Sequence, residues 1–171
     1  GGRPAEGVVR GQLNILRGQS AALSALLVEV KALPLGVTSR LPLAALDIAT
    51  LLVRARPARE GSRVAHTLAA HEREAGWRLM AALVAALPRE VVAGREMEFV
   101  ALWEPAIGAE SMAALGQWSG GAPSHLVDQL RWRAAALEAL STFITHPLTA
   151  AAAERGDVAE LLGAVVGMLA T

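Results

Sequence analysis

The chain has no cysteine, no tyrosine, only two phenylalanines, one lysine and no excess of charge of either sign. Without cysteine there is no disulfide, no thiolate metal site and no cysteine nucleophile. Sixteen basic and 16 acidic side chains leave a formal net charge of zero, so no broad field draws the chain to nucleic acid or to an anionic membrane. Every basic residue but Lys31 is arginine, a bias that reads as GC-rich coding before it reads as function. The apolar run at 161–170 is too short to span a bilayer, so no membrane partner is expected. No charged region leads into an apolar one at the start, so no secretory signal is read and a soluble, cytoplasmic protein is expected. Nucleotide-binding glycine loops, nucleophile elbows, zincin pairs and paired zinc-ligand motifs are also missing.

What is present is alanine, leucine and helical punctuation. Hydrophobic residues make up 53% and the mean hydropathy is +0.39, an excess that comes largely from alanine, the strongest helix former. Only 19% of residues are charged, so much of the surface is small and apolar, which favours close helix packing and leaves room for a homodimer face. The 171 residues suit one domain, read as a helical bundle over 10–171 preceded by a flexible arm at 1–9.

The clearest helix runs over 62–88, opened by Ser62 and closed by Pro88, with apolar positions at Val64, Leu68, Ala75, Leu79, Ala82 and Ala86. Before it, 10–33 reads as a helix interrupted near Gly18 and restarted with Ser20 as cap, and 40–56 as another with Ser39 as N-cap and Pro42 in its first turn. Residues 95–104 form a helix expected to end before Pro105, and 109–118 a short one. The glycine-rich stretch around Gly120-Gly121 is a loop. A strong helix at 125–145, capped by Ser124, carries Val127, Leu130, Ala134, Leu137 and Ile144 as its expected buried stripe. Asp157 and Glu160 form a capping box for a last helix with Val158, Leu162, Val165 and Leu169 at a/d-like spacing. No period-two alternation competes, so the fold is all-α: four principal helices with shorter accessory ones.

Four groups of residues carry candidate chemistry. His66 and His71 project about 140° apart on a regular helix and cannot share one ion; His125 and His146 sit at helix ends, so no metal and no other cofactor is expected. His71, Glu72 and Glu74 form the densest polar cluster, with Glu74 placed to pair with Arg78. An acid/base pair and a solvated helix face are the two readings, the second preferred. Arg54, Arg56, Arg59 and Arg63 surround the junction before the long helix and would suit phosphate or a nucleic-acid backbone. In that reading 41–56 and 62–77 form a helix-turn-helix, set against Glu60, Glu72 and Glu74, which dilute the field. Trp77, Trp103 and Trp132, with Trp118 near the glycine loop, either fill a core of alanine and leucine or line a pocket for a small apolar ligand.

The order of elements resembles the DinB/YfiT-like family of DNA-damage-inducible bacterial bundles. The similarity rests on 62–79, SRVAHTLAAHEREAGWRL, on 125–144, HLVDQLRWRAAALEALSTFI, and on 156–169, GDVAELLGAVVGML. It implies a four-helix bundle, often dimeric. The family's metal site takes two histidines four apart from the last helix; here Met168 stands at the first and the chain ends before the second. The resemblance therefore implies a bundle without the metal and without metal-dependent transferase or hydrolase activity. The preferred reading is a non-catalytic, metal-free, stress-associated binding or scaffolding module. A DNA-binding regulator using Arg54–Arg63 and a tryptophan-lined sensor or enzyme are the alternatives.

Overall fold

The computed structural model describes residues 3–29, 40–58, 62–87, 96–108, 111, 113, 123–145 and 163. It is an all-α helical bundle, in which the described residues form five bounded helices: α1 (Arg3–Glu29), α2 (Arg40–Val53), α3 (Arg63–Ala86), α4 (Glu96–Ile107) and α5 (Pro123–Thr145). Among the described residues there is no strand, and no helix is long and apolar enough to cross a membrane.

α3 forms where the sequence marks it. The Ser62 hydroxyl accepts from the Ala65 N–H at 3.4 Å, satisfying a donor that a helix start leaves open. Leu87 turns extended, as a residue before proline must. The other boundaries differ from expectation. α1 begins at Arg3, so the expected arm is helical from that residue on, and it runs through Gly18 without a break. Ser20 donates to the Arg17 carbonyl at 3.1 Å, a bond back along an existing helix rather than a new cap. α4 continues past Pro105 to Ile107 and closes with the Gly108 N–H on the Glu104 carbonyl at 2.9 Å. α5 starts at Pro123, so Ser124 lies inside it rather than capping it. The expected short helix at 109–118 and the last helix lie outside the described residues, apart from Ser111, Ala113 and Gly163.

The helices form two layers. Residues 9–14 of α1 lie beside 63–67 of α3, and 17–24 beside 71–81, so these two helices run parallel. His66 meets His125, Thr67 meets Asp128 and His71 meets Arg131, so α5 runs parallel to α3 as well. α2 runs against α3, with Leu52 and Val53 over Gly76 and Ala55 over Arg73. α4 runs against α5, with Trp103 beside Ala136 and Phe99 beside Phe143. Three parallel helices, α1, α3 and α5, thus make one layer and α2 and α4 the other. This is the stacking of successive helical hairpins seen in helical-repeat architectures.

The core sits where the layers meet. Trp77 and Trp103 have ring centroids 5.2 Å apart, Trp103 and Phe143 5.3 Å, and Phe99 and Phe143 5.9 Å. Gly76 lets α2 touch α3 directly. On α5 the buried side is Trp132, Ala135, Ala136, Ala139, Leu140 and Phe143. Of the stripe expected to be buried, only Ile144 packs against the core; Val127 is 51% exposed, Leu130 49% and Leu137 45%, and Ala134 is exposed. α5 carries two apolar sides, and the one that packs combines small alanines, which let helices approach, with aromatics that bury the most area. On α3 the expected Ala75, Leu79 and Ala86 are buried, but the rest of the stripe is not. Val64 is exposed, Leu68 and Ala82 are only half-buried, and Trp77, Met80, Leu83 and Val84 are fully buried.

Candidate functional site

α3 and α5 are joined by a polar seam. The His66 and His125 rings meet edge-on with centroids 5.1 Å apart, and the Thr67 hydroxyl donates to an Asp128 carboxylate oxygen at 3.1 Å. Asp128 also lies 3.9 Å from Arg131. His71 Nδ1 lies 2.8 Å from the Thr67 carbonyl, and an Arg131 nitrogen lies 3.3 Å from His71 Nε2. A guanidinium only donates, so Nε2 accepts and Nδ1 carries the proton given to Thr67. Both imidazole nitrogens are therefore engaged in hydrogen bonds within the seam. His66 and His71 do not converge, and among the described residues no three histidine, aspartate or glutamate side chains are placed to hold a metal. His146 lies outside the described residues.

His71 and Glu74 are not on a solvated face: each is only 7% exposed. They border a cleft of about 640 Å³ between α1, α3 and α5. Glu74 forms the expected ion pair with Arg78 at 2.8 Å, and Arg17 and Glu138 line the same cleft, so positive and negative groups balance there.

A second pocket, of about 430 Å³, opens between the end of α2, α3, α4 and α5, and its charges do not balance. Arg54, Arg56, Arg73 and Arg133 line it together with Trp132, and among the described residues no carboxylate does. Arg73 donates from Nε to the Ala55 carbonyl at 2.7 Å, which holds the chain at the end of α2, where carbonyls lack helical partners. Arg133 is held by the Gln129 side-chain oxygen at 2.7 Å and the Ser111 hydroxyl at 3.1 Å. The indole of Trp132, anchored to the same Gln129 oxygen at 3.0 Å, lies between them. The Arg133 guanidinium carbon is 4.2 Å from the ring centroid and that of Arg73 is 5.0 Å away. Burial pushes the Arg73 guanidinium down, Arg56 pushes it further, and Glu72 opposes both. Arg133 is pushed down by burial and then by Arg73. Arg73 and Arg133 thus repel each other half-buried, and Arg56 adds to the repulsion on Arg73 from its exposed position.

The expected basic cluster is divided by the fold. Arg54 and Arg56 enter this pocket, Arg63 lies beside α1 near Arg10 and Arg17, and Arg59 lies outside the described residues. The helix-turn-helix reading requires α3 to lie open to a groove. Instead α3 is packed on α1, α2 and α5. Trp77 and Trp103 are completely buried in the core, and of the three tryptophans only Trp132 borders one of the cavities described above. Trp118 lies outside the described residues. Arg73 and Arg133 were not singled out as site residues. Their one sequence signal is the 131–133 triplet Arg-Trp-Arg.

Comparison with known proteins adds one similarity. The chain is 29% identical over 136 residues to Protein SWEETIE of Arabidopsis thaliana. The aligned stretch is 75% of this chain and 5% of that protein, so the chain spans about a twentieth of its relative's length. No family model and no solved structure matches, so the DinB/YfiT-like resemblance gains nothing from these comparisons.

Proposed function

We propose that the chain is a non-catalytic, cytoplasmic helical scaffolding and binding module whose copies associate edge to edge, a dimer being the first step. The observation that carries this reading is the pair of outward apolar stripes on the edge helices α1 and α5. On α5, Val127, Leu130, Ala134 and Leu137 follow the a/d spacing of a helix-packing seam. On α1, Val8, Gly11, Ile15, Gly18 and Ala22 do the same on the side away from α3, and nothing stands within 4 Å of a side chain added at Gly11 or Gly18. Leu130 and Leu137 are seven residues apart, as are Gly11 and Gly18. A parallel α5 set against α1 of another copy places two bulky side chains over two gaps and continues the α1–α3–α5 layer. Helical arrays end in polar capping surfaces where they stop, and among the described residues both stripes are apolar.

Sedimentation over a range of concentrations tests this. The wild-type chain is expected to associate as concentration rises, and Leu130→Glu with Leu137→Glu to remain monomeric with an unchanged helical spectrum. A wild-type chain that sediments as a monomer at every concentration refutes the reading.

A further inference from the structure

We infer that the pocket between α2, α3, α4 and α5 is an anion site, and that its ligand is a phosphate monoester carried on a small apolar body. The inference is independent of edge association, because the pocket lies between the two helical hairpins and not on either outward stripe. Four guanidinium groups from three helical segments face one cavity of about 430 Å³, a size that suits a small ligand. Among the described residues no carboxylate shares its lining, whereas the neighbouring cleft sets Glu74 and Glu138 against Arg17 and Arg78. Like charges gathered in a half-buried place destabilise the fold unless an anion completes them.

The donors that remain indicate which anion. Arg73 spends Nε on the Ala55 carbonyl, and among the described residues neither terminal nitrogen has a hydrogen-bond partner. Arg54 and Arg56 are exposed at the mouth and have no hydrogen-bond or ion-pair partner among the described residues. Arg133 Nε is buried without a hydrogen-bond partner, while its terminal nitrogens are fixed by Gln129 and Ser111. Planar guanidinium forks match the oxygen pairs of a phosphate, and a dianion answers several cations better than a carboxylate does. The opposite wall is apolar, with Val53 from α2 and Leu102 and Pro105 from α4. That wall would hold the body of an ester, which free phosphate lacks. Arg73 and Arg133 are pre-set by their stacking on Trp132, so little side-chain freedom is lost on binding.

Calorimetric titration of the full chain with phenyl phosphate, inorganic phosphate and phenol tests this, with tryptophan fluorescence reporting on Trp132. Phenyl phosphate is expected to bind, inorganic phosphate more weakly and phenol not at all, with affinity falling as salt rises. The double variant Arg54→Gln, Arg56→Gln removes two exposed groups without a hydrogen-bond or ion-pair partner among the described residues, so it should melt at or above the wild-type temperature and lose affinity about tenfold or more. Absence of phenyl phosphate binding, or binding unchanged in the double variant, overturns the anion site. Inorganic phosphate binding as tightly as phenyl phosphate overturns the ester assignment.

Discussion

Gly76 is the point where α2 and α3 come closest, and replacing it tests the packing directly. A Cβ built there meets Leu52 Cβ and the Val53 amide nitrogen at 2.7 Å each, and the Leu52 carbonyl carbon at 3.0 Å. Two of these three atoms are backbone and the third is the stem of a side chain, so none can rotate aside. Alanine in mid-helix is better than glycine by about 1 kcal/mol. Overpacking a tight contact costs about 1–3 kcal/mol, and a clash with immobile atoms belongs at the upper end. The two terms oppose, and the clash wins by about 2 kcal/mol for Gly76→Ala. In a chain of this size that corresponds to a fall in Tm of about 4–8 °C. Gly18→Ala is the control: it meets nothing within 4 Å, so only the helix-propensity gain remains and Tm should rise by about 2 °C. Thermal unfolding followed by circular dichroism at low protein concentration measures both. A Gly76→Ala chain that melts at or above the wild-type temperature refutes the close approach of α2 to α3.

Trp103 and Trp77 should respond differently to phenylalanine. Trp103 Nε1 donates to the Ala136 carbonyl at 2.8 Å in the core, whereas Trp77 Nε1 is buried with no partner. Trp103→Phe should therefore cost about 1 kcal/mol more than Trp77→Phe in urea unfolding, and equal losses would count against that hydrogen bond. Burial raises the Glu72 carboxyl above its ordinary range, with Arg73 opposing. Its folded form then holds a proton more tightly than its unfolded form. The resulting stability is complete below the unfolded value near 4.5 and is lost as pH rises through the raised folded value. Glu72→Gln should thus stabilise the chain at pH 7 and not at pH 3, as read by urea midpoints at both values.

The all-α class, the existence of α2, α3 and α5 and the Ser62 cap were legible because periodicity and capping are local signals. The wrong face of α5 was chosen for a physical reason. Val127, Leu130, Ala134 and Leu137 outscore Trp132, Ala135, Ala136 and Ala139 on hydrophobicity, but alanine's value lies in permitting close approach, which a single helix cannot display. His71 and Glu74 looked like surface residues because charge predicts exposure only when no neighbour supplies partners, and Arg131 and Arg78 supply them. Arg54 and Arg56 were visible as a basic run. Arg73 and Arg133 were not, because they reach the pocket from positions 60 residues apart in sequence that only the parallel register of α3 and α5 brings together.

Among the described helices α1 leans almost wholly on α3, which has a kinetic consequence. Of its described side chains only Leu27 is fully buried, so releasing this ply exposes little oily surface and leaves the tryptophan cluster intact. Its amides should exchange with deuterium through a local opening of small free energy. Those of α3, gripped from three directions, should wait for the whole chain to melt.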